Sequence, residues 1–79
     1  MALSRQKALE RLTTRSGNIL EHLEKITNDP QSQAVNHWKN EIRNWIREME
    51  EALPHAGKKT AVGWKKLVNA YKQVLEGLP

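Results

Sequence analysis

Histidine and glutamate side chains recur along one flank of the middle segment of this 79-residue chain. His37, Glu41 and Glu48 follow one another at intervals of four and seven residues, and His22 lies on the flank of the preceding segment. Imidazole and carboxylate groups from two facing helices can bind a divalent metal ion. The tight Glu-x-x-His pairing of di-iron bundles is absent, so we predict a solvated polar flank with a histidine–glutamate contact, and neither a metal ion nor a cofactor.

Arg15 and His22 lie seven residues apart in the first segment, which places them on one flank of a helix. An arginine followed by a histidine at such an interval resembles the motif of the helical ribonucleases of the HEPN class. That resemblance implies a histidine acting as acid or base and an arginine stabilising the charge of a phosphate. A chain of 79 residues leaves little room for a substrate cavity beside a core. We therefore predict that the protein is not an enzyme and keep a ribonuclease-like toxin as an alternative.

Basic residues cluster near the start of the third segment. The chain has 13 Lys and Arg against 9 Asp and Glu, for a net charge of +4, so anionic partners are conceivable. A basic loop that leads into a helix can hold nucleic-acid phosphates, although a solubilising surface has the same composition. We keep nucleic-acid binding as a second alternative, with four candidate residues: Lys58, Lys59, Lys65 and Lys66.

The three tryptophans fall on the apolar stripes of the second and third segments. Tryptophan can stack on a base or anchor a protein partner, but in a chain without phenylalanine the pattern favours filling of the core. The apolar arc of the second segment is about 120° wide, and we expect three short helices to leave part of it uncovered. We therefore predict an interaction or regulatory protein that binds a protein partner or a second copy through four residues: Trp38, Trp45, Ile46 and Met49.

Three segments with helical periodicity position these residues. They cover about residues 4–26, 30–53 and 60–78, and they predict a single all-α domain over residues 1–79, a small three-helix up-down-up bundle. Ser4, Asp29 and Thr60 are predicted N-caps, and Pro30 suits the first position of a helix. Ser16-Gly17 predicts a bend or a close helix contact.

The apolar positions of each segment alternate at intervals of three and four residues. In the first segment they are Leu9, Leu12, Ile19, Leu23 and Ile26, with Ser16 in line and with Ala8 and Leu20 beside them. In the second they are Val35, Trp38, Ile42, Trp45, Met49 and Ala52. In the third they are Trp64, Leu67, Tyr71, Val74 and Leu78, with Val68 and Leu75 beside them.

The composition excludes several other classes of protein. The chain has no cysteine, which excludes a disulfide scaffold and a thiolate metal site. No apolar run approaches the ~20 residues that span a bilayer, and the start turns polar at once. We therefore expect a cytoplasmic protein of bacterial style, without a membrane partner.

Several short elements resemble the bacterial helical family catalogued as domain of unknown function 29. They are His22-Leu23, the run from Trp38 to Arg43, the helix exit at Leu53-Pro54 and the late Ala70-Tyr71. The likeness covers about residues 17–75, and the N-terminal aromatic and acidic motifs of that family are missing. The aromatic residue that usually follows the His-Leu element is also replaced, by Glu24-Lys25-Ile26. The resemblance implies an all-helical fold and no particular activity.

Overall fold

The first helix begins where its capping residue predicts. The computed structural model describes residues 3–78, and in it α1 spans Arg5–Asn28. The Ser4 hydroxyl accepts a hydrogen bond from the Lys7 N–H at 3.2 Å, which confirms the predicted cap. The helix ends at Asp29, whose N–H donates to the Lys25 carbonyl at 2.9 Å. α1 continues as a helix through Ser16-Gly17.

The second helix begins five residues later than predicted. α2 spans Val35–Ala52, because residues 29–34 form turns instead of a first helical turn. The Ser32 N–H donates to the Asp29 carbonyl at 3.2 Å, and the Ser32 hydroxyl accepts from the Ala34 N–H at 3.1 Å. Asp29 is occupied in ending α1, so the prediction that it caps α2 at Pro30 is wrong.

The third helix begins earlier than predicted, at a glycine. A short 3-10 helix, Leu53–His55, follows α2, and α3 spans Lys58–Glu76. Gly57 has a φ of 89°, a conformation that side chains disfavour, and its carbonyl accepts the Ala61 N–H at 2.8 Å. Gly57 therefore redirects the chain, and the predicted cap at Thr60 is wrong. Within residues 3–78 all regular structure is helical and three α-helices are present, which confirms the predicted fold class.

The core lies on α2, which contacts both of the other helices. α1 and α2 pair along their lengths in opposite directions, since Arg15 contacts Glu48 and His22 contacts Glu41. α3 packs mainly on α2 and only briefly on α1. The buried apolar side chains are Ala8, Leu12, Ile19, Ile26, Val35, Ile42, Ile46, Met49, Ala52, Ala56, Val68 and Tyr71. The three tryptophans are half-buried and pack against this core, as the sequence favoured.

α3 is rotated relative to the predicted stripe. The structure buries Val68 and Tyr71, whereas Leu67 and Val74, predicted to share the buried face, are 37% and 46% exposed. Residues 67 and 68 lie about 100° apart on a helix, so this small rotation exchanges one for the other. α3 therefore turns Val68 toward α2 and leaves Leu67 and Val74 at its open side.

One buried hydrogen bond joins α1 to α3. The hydroxyls of Ser16 and Tyr71 are 2.6 Å apart, and both side chains are buried. This is the close helix contact that Ser16-Gly17 predicted, made by the serine. Because a polar group in an apolar setting is costly without a partner, each hydroxyl depends on the other.

The domain is long and thin. Its radius of gyration is 13.2 Å, against about 11.6 Å for an average domain of this length, and its extents are 40 × 22 × 14 Å. Such a shape leaves more apolar surface uncovered than a sphere would. None of the helices within residues 3–78 has the length and hydropathy that crossing a membrane requires.

The Ser16–Tyr71 bond generates a prediction about stability. Ser16→Ala should lower the free energy of unfolding by about 1–3 kcal/mol, because it leaves the Tyr71 hydroxyl buried without a partner. The double variant Ser16→Ala/Tyr71→Phe removes both polar groups and should cost less than Ser16→Ala alone. Urea denaturation of Ser16→Ala, Tyr71→Phe and the double variant measures these free energies of unfolding. The prediction is contradicted if the losses of the two single variants simply add up to the loss of the double variant.

Candidate interaction surface

The side of α1 that turns away from α2 is apolar and incompletely covered. Leu9 and Thr13 lie seven and three residues before Ser16, and Leu20 lies four residues after it. These intervals place all three on the same side of α1 as Ser16. Leu20 is 55% exposed and Leu9 is half-buried. An open depression on this side is lined by Arg5, Gln6, Leu9, Glu10, Thr13 and Thr14.

The side of α3 that carries Tyr71 is apolar as well. Trp64 and Leu67 lie seven and four residues before Tyr71, and Val74 lies three residues after it. These intervals place all three on the same side of α3 as Tyr71. Trp64 is half-buried, whereas Leu67 and Val74 are exposed. A shallow depression is lined here by Thr60, Gly63, Trp64 and Leu67. The Ser16–Tyr71 bond joins the two helices on the sides that carry these residues, and each of the two depressions is lined by one helix alone.

We name this region the α1–α3 face. It comprises Leu9, Thr13 and Leu20 on α1 and Gly63, Trp64, Leu67, Ala70 and Val74 on α3, with the Ser16–Tyr71 bond at its floor. Contiguous exposed apolar side chains of this kind are uncommon on isolated soluble domains and typically mark a binding surface.

Charged residues flank the apolar positions of both helices. On α1 the acidic ones are Glu10, Glu21 and Glu24, all exposed, and on α3 the basic ones are Lys59 and Lys66, also exposed. Arg5 lines the same depression as Leu9 and Glu10, and Lys7 and Arg11 line a second depression with Glu10, so the α1 side has charges of both signs.

Two glycines, Gly17 and Gly63, lie at open positions of α1 and α3. Apart from the nearby turns of its own helix, a Cβ atom built on either would meet no atom of residues 3–78 within 4 Å. Glycine within a helix costs about 1 kcal/mol relative to alanine, and neither residue has a positive φ that would require it. Internal packing therefore does not explain them, although their position allows another backbone to approach closely.

The predicted partner-binding residues lie elsewhere. Ile46 and Met49 are 4% and 0% exposed, so the folded domain covers both and leaves neither side chain open to a partner in this structure. Trp38 and Trp45 are half-buried on the opposite flank, where their rings contact His22 edge-on at centroid distances of 6.5 and 4.7 Å. The uncovered apolar surface is on α1 and α3 instead.

His22 belongs to a polar contact between α1 and α2. Its Nε2 lies 3.2 Å from a Glu41 carboxylate oxygen, and His37, four residues before Glu41, contacts the other oxygen. The Nδ1 of His22 is buried and has no hydrogen-bond partner within residues 3–78. The predicted histidine–glutamate contact is therefore present. Within the described residues no His, Asp and Glu side chains are grouped as a metal ion would require.

Arg15 and His22 do not form an open catalytic groove. Arg15 Nε donates to Glu48 at 2.7 Å, and the His22 side chain is only 12% exposed against Trp45 and Glu41. Both side chains face α2, and each is engaged by a glutamate. A phosphate would have to displace Glu48 from the arginine, so the geometry does not support the ribonuclease hypothesis.

The candidate nucleic-acid residues are exposed, as that hypothesis requires. Lys58, Lys59, Lys65 and Lys66 lie in the N-terminal half of α3, and none has an ion pair among residues 3–78. Lys72, in contrast, donates to Glu50 at 2.7 Å. Helical spacing separates the four into two rows, since Lys58 and Lys65 lie on the side of α3 away from the α1–α3 face.

Comparison with protein-family models, with curated proteins and with solved structures finds no match to this chain. The resemblance to domain of unknown function 29 therefore stays a prediction, and the surface chemistry alone supports any functional proposal.

The unexplained glycines generate a second prediction. In dilute protein, Gly17→Ala and Gly63→Ala should each raise the free energy of unfolding by about 0.5–1 kcal/mol, because alanine restricts the unfolded chain and meets no clash. Gly57→Ala serves as the contrasting control, since its Cβ would lie 2.9 Å from Arg5 Nη2 at a φ of 89°. It should lower stability by about 1 kcal/mol or more. Destabilisation by the first two changes would show that a packing role was overlooked.

Proposed function

We propose that this protein is a small helical interaction module that binds an α-helix of a protein through the α1–α3 face. The observation that supports the proposal is the exposed apolar surface of α1 and α3, where Leu20, Leu67 and Val74 are 55%, 37% and 46% exposed. Burying apolar side chains contributes about 25 cal/mol per Å², so a partner that covers this surface gains affinity from each of them.

The arrangement of α1 and α3 favours a helix as the occupant. Two neighbouring helices that run in the same direction can receive a third between them, and an amphipathic helix can lay its apolar face against such a surface. The open positions on α3 recur at intervals of three and four residues, as in Leu67, Ala70 and Val74. An extended peptide would have no unpaired sheet edge to extend within residues 3–78, since these contain no strand.

A substitution at the centre of the face tests the proposal. Leu67→Glu should abolish capture of the binding protein, because it places a charge on the apolar surface. Asn69→Glu introduces the same charge on the exposed opposite side of α3 and should preserve capture. Tagged wild-type and variant proteins, expressed in their native cells, are compared by quantitative affinity capture, with thermal unfolding to check folding. An identical set of retained proteins for all three would refute the proposal.

Nucleic-acid binding is a second candidate function, favoured by the charge of α3. This helix contains five lysines and one acidic residue, Glu76, and four of the lysines have no ion pair among residues 3–78. They begin directly after Gly57, which caps the helix without a side-chain hydrogen bond, so the positive end of the helix dipole adds to their field.

Salt dependence separates this candidate from a solubilising surface. If phosphates bind here, Lys58→Glu/Lys65→Glu should weaken binding to DNA or RNA and reduce the slope of log K against log salt by about 2. The matched control is Lys25→Glu, a charge reversal at an exposed residue near the C-terminal end of α1. It should change neither the affinity nor the slope. Fluorescence anisotropy with labelled oligonucleotides provides the measurement. Absence of binding to either nucleic acid at low salt would exclude this candidate.

A further inference from the structure

α3 is attached to the rest of the domain by fewer buried side chains than the other two helices. Within residues 3–78 it buries two side chains, Val68 and Tyr71, whereas α1 and α2 bury five each. We infer that α3 is a hinged helix, which leaves the domain and unfolds as one unit while α1 and α2 stay paired. Regions with few buried contacts open at a lower free energy than the rest of a protein.

The contacts between α1 and α2 do not require α3. The two helices pack along their lengths, and most of the packing between helices in residues 3–78 is theirs. Arg15 of α1 binds Glu48 of α2, and His22 of α1 contacts Glu41 and the Trp45 ring of α2. All of these contacts remain when α3 is released.

The polar contacts of α3 are two in number among residues 3–78. Lys72 binds Glu50 of α2 at 2.7 Å, and both side chains are more than two-fifths exposed, so this ion pair contributes little. The hydroxyl of Tyr71 bonds Ser16 of α1, and Val68 is buried in the same stretch of the helix. The attachment of α3 is therefore concentrated in its middle turns.

The connection between α2 and α3 is suited to act as a hinge. The 3-10 helix Leu53–His55 is followed within two residues by Gly57, whose φ of 89° is open to glycine at no steric cost. Hinges are short segments of this kind, which absorb changes of φ and ψ. Once released, α3 should lose its helical structure, because helices gain most of their stability from tertiary packing and Gly63 weakens this one further.

Release of α3 exchanges one apolar surface for another. Ile46 of α2 is 4% exposed and lines a depression with Leu75 of α3, so it becomes accessible when α3 leaves. Leu67 and Val74 leave the side of Leu20 at the same time, which dismantles the α1–α3 face. A partner that contacts both helices binds only the docked form and therefore holds α3 in place. This last consequence rests on the proposed function, whereas the release of α3 does not.

Native-state hydrogen exchange of the intact protein tests the inference. Backbone amides in the middle of α3 should share one protection factor, at least tenfold lower than that of the slowest amides of α1 and α2. Gly63→Ala should slow exchange in α3 about two- to fivefold, because alanine stabilises this helix. Gly17→Ala is the matched control. Since α1 stays helical when α3 opens, it should slow exchange in α1 and leave α3 unchanged.

A second measurement uses the absence of cysteine from the chain. Val68→Cys and Ile42→Cys each place one thiol at a buried position, on α3 and on α2. After correction for the stability of each variant, measured by urea denaturation, the thiol on α3 should react with a labelling reagent at least tenfold faster.

Two results would overturn the inference. One is equal protection of the slowest amides in all three helices, and the other is a Gly17→Ala variant that slows exchange in α3 as much as Gly63→Ala does. Either result would mean that the domain unfolds as a single unit. Neither would refute the proposed function, which fails only if Leu67→Glu captures the same proteins as the wild type.

Discussion

The fold depends on α2, which packs against both of the other helices. α2 buries Ile42 and Met49 completely, and within residues 3–78 it is the helix that packs on both α1 and α3. α1 and α3 contact each other far less, through the hydrogen bond between Ser16 and Tyr71. Apolar side chains such as Leu20 and Leu67 therefore stay exposed on the two outer helices.

Polar contacts determine how the outer helices are oriented on α2. Glu48 binds Arg15 of α1, Glu41 contacts His22 of α1, and Glu50 binds Lys72 of α3. These side chains are all at least partly exposed except His22, and exposed ion pairs contribute only about 0–1 kcal/mol each. Their effect is on specificity, since a rotation of either outer helix would separate the charges. The acids of α2 thus set the flanks that α1 and α3 present to solvent.

Much of the fold was predictable because helical periodicity and caps are local signals. Ser4 capped α1 as its hydroxyl predicted, and Ile42 and Met49 belong to the buried line that their spacing indicated. The start of α2 was not predictable, because Ser32 competes with Asp29 for the backbone groups of the connection. The rotation of α3 was ambiguous, since Leu67 and Val68 each complete a regular apolar stripe with Trp64 and Tyr71. Only packing on α2 decides between the two stripes.

The candidate site was harder to predict than the fold, because it depends on what is left uncovered. Spacing alone places Glu10 and Lys66 beside apolar positions, yet it cannot tell which flank another helix will cover. The same limit applies to Arg15 and His22, whose residue types suggest phosphate chemistry but whose side chains are engaged by glutamates of α2. A charged side chain that is paired inside the domain is not available to bind a ligand, whereas an unpaired one contributes its charge to the exposed surface. In this chain three of the four acids of α2 have partners on the other helices, whereas four lysines of α3 and the three glutamates of α1 stay exposed without an ion pair among residues 3–78. The net charge of +4 gives no hint of this distribution, because it is a sum over the whole chain.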